Sequence, residues 1–178
     1  MSEERIGDWM QTYTGKQFWP FDPRPEEIFI EDIAHHLSML CRYNGACKFF
    51  YSVAEHSFLV SEFVTKSYAL WGLMHDAAEA YISDIIAPVK RSMPEYKRIE
   101  ERIMKAIVER FEMRPAEQPE IVSTVDKLIL RDEQIKVMTP CEQDWWHTGG
   151  DRLGAVIMGY SPATAEEIFL KRFYSLKA

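Results

Sequence analysis

The chain has 178 residues, 47% of them hydrophobic and 28% charged, which fits one globular domain with one sizeable core. Its net charge of −7 argues against a general DNA or RNA backbone binder but leaves small anionic ligands open. No apolar run reaches the length of a membrane span, and the opening MSEERIGDWMQTYTG is too polar and acidic for a secretory signal.

In chain order, residues 1–30 read as irregular, because Trp19-Pro20-Phe21-Asp22-Pro23 and Pro25 block a long helix. Helices follow. Asp32 is placed to cap one whose stripe is Ile33, Leu37 and Leu40. Ser52-Val53-Ala54-Glu55 matches a capping box, opening a helix with Val53, Val60, Phe63 and Val64 on one face. A third helix is expected over roughly 67–81, with Pro88 ending what comes after it. Residues 95–111 carry Ile99, Ile103, Ile107 and Phe111 in steps of four. Residues 119–137 carry Ile121, Val125, Leu128 and Ile135 at helical spacing, and Ser161-Pro162 reads as a helix start. Residues 139–160 read as a loop in which Trp145, Trp146 and His147 suit a buried anchor, a lid or an oligomer contact. No set of strands emerges, so the expected fold is all-α, a compact bundle of six or seven helices forming a single domain over 1–178. Cys41, Cys47 and Cys141 match no zinc spacing and read as free thiols in a reducing compartment, which places the protein in a cytoplasm.

Against this apolar frame, some polar residues fall where a core should be. WGLMHDAAEAYISD (71–84) places His75, Asp76 and Glu79 within one and a half helical turns, on a common side. His56 lies between Val53 and Val60 on an apolar stripe, and Asp126 lies between Val122 and Ile129. Any one of these has a plainer reading: a hydrogen-bonded core histidine, a chance dipeptide, an aspartate paired with Lys127 or Arg131. Taken together they put two imidazoles and two carboxylates on three helices. An unpaired buried carboxylate costs several kcal/mol, so a shared divalent cation is the economical answer. Helical bundles build metal sites in this way.

The set His56 … His75-Asp76 … Asp126 resembles the H…HD…D signature of the HD-domain phosphohydrolases. SVAEHS around His56, HDAAEAYISD from His75 and APVK ending at Lys90 are similar to the 5′-deoxynucleotidase branch, over roughly residues 28–135. FWPFDPRPEEIFIEDIAHHLSMLCRYNGACKFFYSVAEHS is also similar to compact phage-type deoxyadenosine triphosphate triphosphohydrolases. The resemblance implies an HD fold and a divalent metal ion (cobalt, manganese, zinc or magnesium) on His56, His75, Asp76 and Asp126. It implies catalytic roles for Glu79 and Asp84, a phosphate contact from Arg42, and contacts from Trp19 and Pro20 to a deoxynucleoside. The chain lacks the GYP extension of cyclic-dinucleotide phosphodiesterases, since Ala77-Ala78-Glu79 follows the aspartate.

Chemically, Glu79 shares a helical face with two ligands and can position and deprotonate a water. Asp84 can orient a ligand histidine or protonate a leaving oxygen, or simply cap a turn. Arg42 offers a planar fork to phosphate and Lys90 a point charge, with Lys48 a further basic residue that has no motif behind it. His35, seven residues before Arg42, is placed to touch phosphate or a second metal. The expected activity is hydrolysis of a deoxynucleotide, leaning to dATP and release of deoxynucleoside and triphosphate. The alternatives are a 5′-deoxynucleotidase on monophosphates, a non-catalytic nucleotide sensor, and a di-iron oxygenase that would want more histidines. The expected partner is a small nucleotide, not a nucleic-acid polymer or a membrane. The many aromatics point to a homo-oligomer, and a phage-encoded chain would work in its host's cytoplasm.

Overall fold

The computed structural model describes residues 4–143, 145 and 151–178. Among them the fold is mostly α-helical. Six helices have six or more residues: α1 (Ile30–Met39), α2 (Val53–Phe63), α3 (Ala69–Met74), α6 (Pro94–Arg110), α7 (Glu120–Val137) and α8 (Pro162–Lys177). Two single turns, α4 (Glu79–Ile82) and α5 (Ala87–Lys90), lie between α3 and α6. A two-stranded antiparallel ladder, β1 (Met10–Gln11) with β2 (Gln17–Phe18), is the sheet of the irregular N-terminal segment. Trp146 and His147, expected in the loop after α7, lie outside the described residues. No described helix is long and apolar enough to cross a membrane.

The centre of the bundle is α2. Val53 to Ser57 and Leu59 to Ser61 are all buried, so this helix has almost no solvent face. It packs on α1, α3, α7 and α8. A helix that is covered all round must be made of small and apolar residues, and SVAEHSFLVS is, apart from Glu55 and His56. Gly72 permits its approach to α3, because a Cβ there would stand 2.8 Å from the Cα of Ser61. Around α2 the core is closed by Ile33, Leu37, Leu73, Met74, Ile103, Ile107, Ile129 and Phe169, all without solvent exposure.

Three sequence expectations hold closely: the helix of 95–111 is α6, the helix of 119–137 is α7, and Ser161 caps α8 by accepting from the Thr164 amide at 3.3 Å. Several others are corrected. Asp32 does not cap α1, which starts earlier with Phe29 at the cap. Asp32 lies inside the helix, fully buried, and its carboxylate accepts from the backbone amide and hydroxyl of Thr14 at 2.7 and 3.0 Å. It fixes the β1–β2 hairpin to the bundle. Ser52 caps α2 through the Glu55 amide at 3.1 Å, but Glu55 does not complete the box. Its carboxylate accepts from the amides of Met158, Gly159 and Tyr160 at 2.8, 3.1 and 2.8 Å. The helix expected over 67–81 is interrupted: after α3 the chain tightens to i→i+3 hydrogen bonds through Ala77, Glu79, Ala80 and Tyr81. Pro88 does not stop a helix but sits in the first turn of α5, where its missing N–H costs nothing. On α7, Ile121 and Ile135 are exposed at 38% and 48%. The buried face runs instead through Val122, Val125, Ile129, Asp132, Glu133 and Val137. Acidic residues occupy inward positions there, which shifts the apolar count away from the true face. Phe63 is likewise 38% exposed at the end of α2.

Candidate metal centre

Three donor atoms, from His56, His75 and Asp126, meet between α2, the turn after α3, and α7, with Asp76 beside the two histidines. His56 Nε2 lies 3.3 Å from His75 Nε2, 3.2 Å from Asp126 Oδ1 and 3.7 Å from Asp76 Oδ2. His75 Nε2 lies 3.3 Å from Asp76 Oδ2 and 3.8 Å from Asp126 Oδ1. Donors bound to one ion at ~2.1 Å stand ~3.0 Å apart at right angles and ~3.4 Å apart in a tetrahedron. The observed separations cluster on that range. His56, His75 and Asp126 together can hold a metal ion.

The tautomers sharpen the point. His75 Nδ1–H donates to the carbonyl of Gly72 at 2.8 Å, and His56 Nδ1–H donates to Glu133 Oε1 at 2.6 Å. Each Nδ1 proton is therefore spent on the far side of its ring, and both Nε2 atoms turn toward one another and toward the carboxylates. Two carboxylate oxygens complete the group. Such an arrangement favours positive charge at the imidazole edge, supplied by protons or by a cation. The titration behaviour says the same. Burial opposes charge on His75, yet Asp76 and Asp126 outweigh it and hold its pKa well above the ordinary value. Burial would raise Asp126, yet its hydrogen bonds to His56 and His75 hold it well below. The donor set of two imidazoles and two carboxylates suits a divalent first-row ion or magnesium. Asp76 and Asp126 retain 21% and 36% side-chain exposure, so the centre opens to solvent on their side while the histidines are sealed.

The surrounding residues carry charge to this opening. Arg42 is buried, with Nη1 3.6 Å from Asp76 and Nη2 3.3 Å from Glu133, and its Nε has no partner. Glu79 is 3% exposed. Its Oε1 accepts from Lys90 Nζ at 3.3 Å and its Oε2 is buried without a partner. Burial first, then the charges of Asp76 and Asp84, push its pKa well up. Burial also raises Asp84, which follows Ser83 in a left-handed conformation (φ 71°) that turns the chain out of α4. Lys90 bridges Glu79 and Glu100, the latter at 2.5 Å. Trp145 lies with its ring 5.2 Å from that of Tyr43, beside Arg42.

Other expected site residues stand elsewhere. His35 does not share a helical face with Arg42, because α1 ends at Met39. Its Nδ1 pairs with Glu166 at 2.9 Å, and its ring stacks on Tyr13 with centroids 3.6 Å apart. There it lines an open groove of about 680 Å³ with Tyr13, His36, Met39, Glu79 and Ile82. Trp19 lies beneath the guanidinium of Arg5, 4.0 Å from its centroid, and Pro20 is half-buried next to it. Lys48 is exposed, and its amide bonds to the Val137 carbonyl at 2.9 Å. The sequence reading missed Glu133, Tyr43, Tyr51 and the carbonyl of Gly72. A signal for Glu133 existed: it follows Asp126 by seven residues, two turns along the same face of α7.

No protein-family model matches the chain. It is 45% identical over 106 residues to the uncharacterized protein YfdR of Escherichia coli (strain K12), a match that spans 60% of this chain and 60% of YfdR. It is 32% identical over 173 residues to the uncharacterized protein RCAP_rcc00048 of Rhodobacter capsulatus, covering 92% of this chain and 80% of that one. With that identity sustained over nearly its whole described length, the chain belongs to the same family as the Rhodobacter capsulatus protein RCAP_rcc00048.

Proposed function

We propose that this protein is a metal-dependent phosphohydrolase of the HD type that acts on deoxynucleotides, with dATP as its leading substrate. The observation that carries the reading is the cluster of His56 Nε2, His75 Nε2 and Asp126 Oδ1, with Asp76 Oδ2 within 3.7 Å of both histidines and Arg42 Nη1 3.6 Å from Asp76. A divalent ion held by those histidines and aspartates would supply Lewis acidity, polarising a phosphoryl oxygen and acidifying a water.

The chain's own groups divide the remaining work. Arg42 Nη1, 3.6 Å from Asp76, is the donor placed for a phosphate oxygen, and its Nε is buried without a partner. Glu79 Oε2, buried and unpartnered, is free to accept a proton from the attacking water. Burial, then the charges of Asp76 and Asp84, raise its pKa above the ordinary carboxylate range and so make it a better base. Lys90 holds the other oxygen of Glu79 and so fixes the direction of the free one. Asp84, also raised by burial, is the candidate acid for the departing 5′ oxygen. Water attack at the α-phosphorus makes one O–P bond and breaks the bond to O5′, releasing deoxynucleoside and triphosphate.

The test incubates the purified chain with dATP, dAMP and ATP in cobalt, manganese, zinc and magnesium, and separates products by chromatography. The reading expects deoxyadenosine and triphosphate from dATP, little from ATP, and loss of turnover in Glu79→Ala with metal retained. Preferred release of orthophosphate from dAMP would replace the triphosphohydrolase assignment with a 5′-deoxynucleotidase. Metal binding without turnover of any nucleotide would leave a sensor and defeat the enzyme reading.

A further inference from the structure

We infer that Glu133 is the positioning residue of the metal centre, fixing His56 in the one tautomer that can bind an ion. Glu133 has no solvent exposure, and four donors converge on its two oxygens. Oε1 accepts from His56 Nδ1 at 2.6 Å and from the Tyr51 hydroxyl at 2.8 Å. Oε2 accepts from Arg42 Nη2 at 3.3 Å and from the Tyr43 hydroxyl. The partners come from three places in the chain, Arg42-Tyr43, Tyr51 and His56, and Glu133 is 77 residues from His56.

A buried carboxylate left alone is expensive, so this one stands only because all four donors meet it. The chain accepts local strain to supply one of them. Tyr43 and Asn44 adopt left-handed conformations, with φ 56° and 53°, a region an aromatic side chain such as Tyr43 rarely occupies. That turn is what presents the Tyr43 hydroxyl to Glu133. Strain kept at one spot by surrounding contacts marks a conformation the fold needs.

What it needs follows from the ring chemistry. Imidazole offers a lone pair at one nitrogen only when the proton sits on the other. Glu133 holds that proton at Nδ1, so Nε2 faces the centre as a stronger donor that cannot swing away. Asp76 and Asp126 balance a divalent ion, while Arg42 balances Glu133. The anchor is therefore charge-matched before any ion arrives. The carboxylate also holds one arm of Arg42, so the metal ligand and the proposed phosphate donor hang from a single side chain.

This inference rests on the metal-centre reading, and its test separates the two. Cobalt(II) is titrated into the full chain and into Glu133→Gln, with affinity read by calorimetry and His56 tautomer by nitrogen-15 spectra of the histidines. Glu133→Gln should bind cobalt 10- to 100-fold more weakly, the range seen when a hydrogen-bond partner of a ligand histidine is removed. Its His56 should also lose the pure Nδ1–H signature. A merely structural role would change stability without changing the affinity of the folded protein. Cobalt affinity equal to wild type in Glu133→Gln overturns the inference alone. A wild-type chain that binds no cobalt overturns the metal reading and this inference with it. If Glu133→Gln does not fold, Tyr51→Phe takes its place: a loss of roughly threefold supports the inference and an unchanged affinity overturns it.

Discussion

Glu55 and His56 are consecutive on α2, both are buried, and they meet opposite fates. Glu55 turns to the segment before α8, where three backbone amides satisfy its carboxylate completely. His56 turns to α7 and the turn after α3, where its Nε2 meets His75 and Asp126 at 3.3 and 3.2 Å. Asp32 and Asp132 repeat the pattern of Glu55. Asp32 clamps the hairpin through Thr14, and Asp132 clamps Arg152, Leu153 and Gly154 at 2.8, 3.0 and 3.1 Å. Buried acids that are fully donated to are fasteners that tie irregular segments to helices. Imidazoles and carboxylates gathered at a solvent-open edge form a candidate site.

The difference can be broken by substitution. Glu55→Ala strips the partner from three amides and should lower unfolding free energy by about 3–5 kcal/mol, while the folded fraction keeps its cobalt affinity. Denaturant unfolding beside cobalt titration checks both halves. A variant that keeps its stability, or loses cobalt binding in its folded fraction, would erase the distinction.

Glu133 sits on the border between the two classes, and pH sharpens its place. Burial would raise its pKa, but Arg42 and His56 outweigh burial and hold it at about 2, below the ordinary 4.5. A depressed carboxylate stabilises the fold above its unfolded pKa and stops doing so as pH falls through its folded one. The stability gap between metal-free wild type and Glu133→Gln should therefore narrow by roughly 2 kcal/mol between pH 6 and pH 3. Urea unfolding at the two pH values measures it, and a gap independent of pH would contradict the assigned pairing.

Gly72 joins packing to the site in one residue. A methyl there meets the Ser61 Cα at 2.8 Å and the Ser61 amide nitrogen at 3.0 Å. Gly72→Ala should cost about 1–3 kcal/mol through overpacking. It should also weaken cobalt binding, because the displaced carbonyl is the one that holds His75. Destabilisation with intact affinity would show that the carbonyl does not orient the ring.

The sequence was most readable where one chemical rule acts alone. Steps of four in Ile99, Ile103 and Ile107 gave α6, and the Ser161-Pro162 cap gave the start of α8. His56, His75 and Asp126, which the structure brings together, stood out because charge on an apolar stripe is expensive. Legibility failed where several rules compete. Asp132 and Glu133 face inward on α7, so a count of apolar residues pointed to Ile121 and Ile135, which are exposed. Nothing in Arg42-Tyr43-Asn44 announces a left-handed turn ahead of Gly45, since Tyr43 is held there by a contact 90 residues away. His35 was matched to Arg42 by helical step across a helix that ends between them.

The account turns on whether a cation occupies the space between His56, His75, Asp76 and Asp126. Metal content of the purified chain, measured by mass spectrometry after dialysis against cobalt(II), addresses that most directly. The prediction is one ion per chain in wild type and none in His75→Ala, with both proteins folded. An ion-free wild type, or an ion retained by His75→Ala, would contradict it.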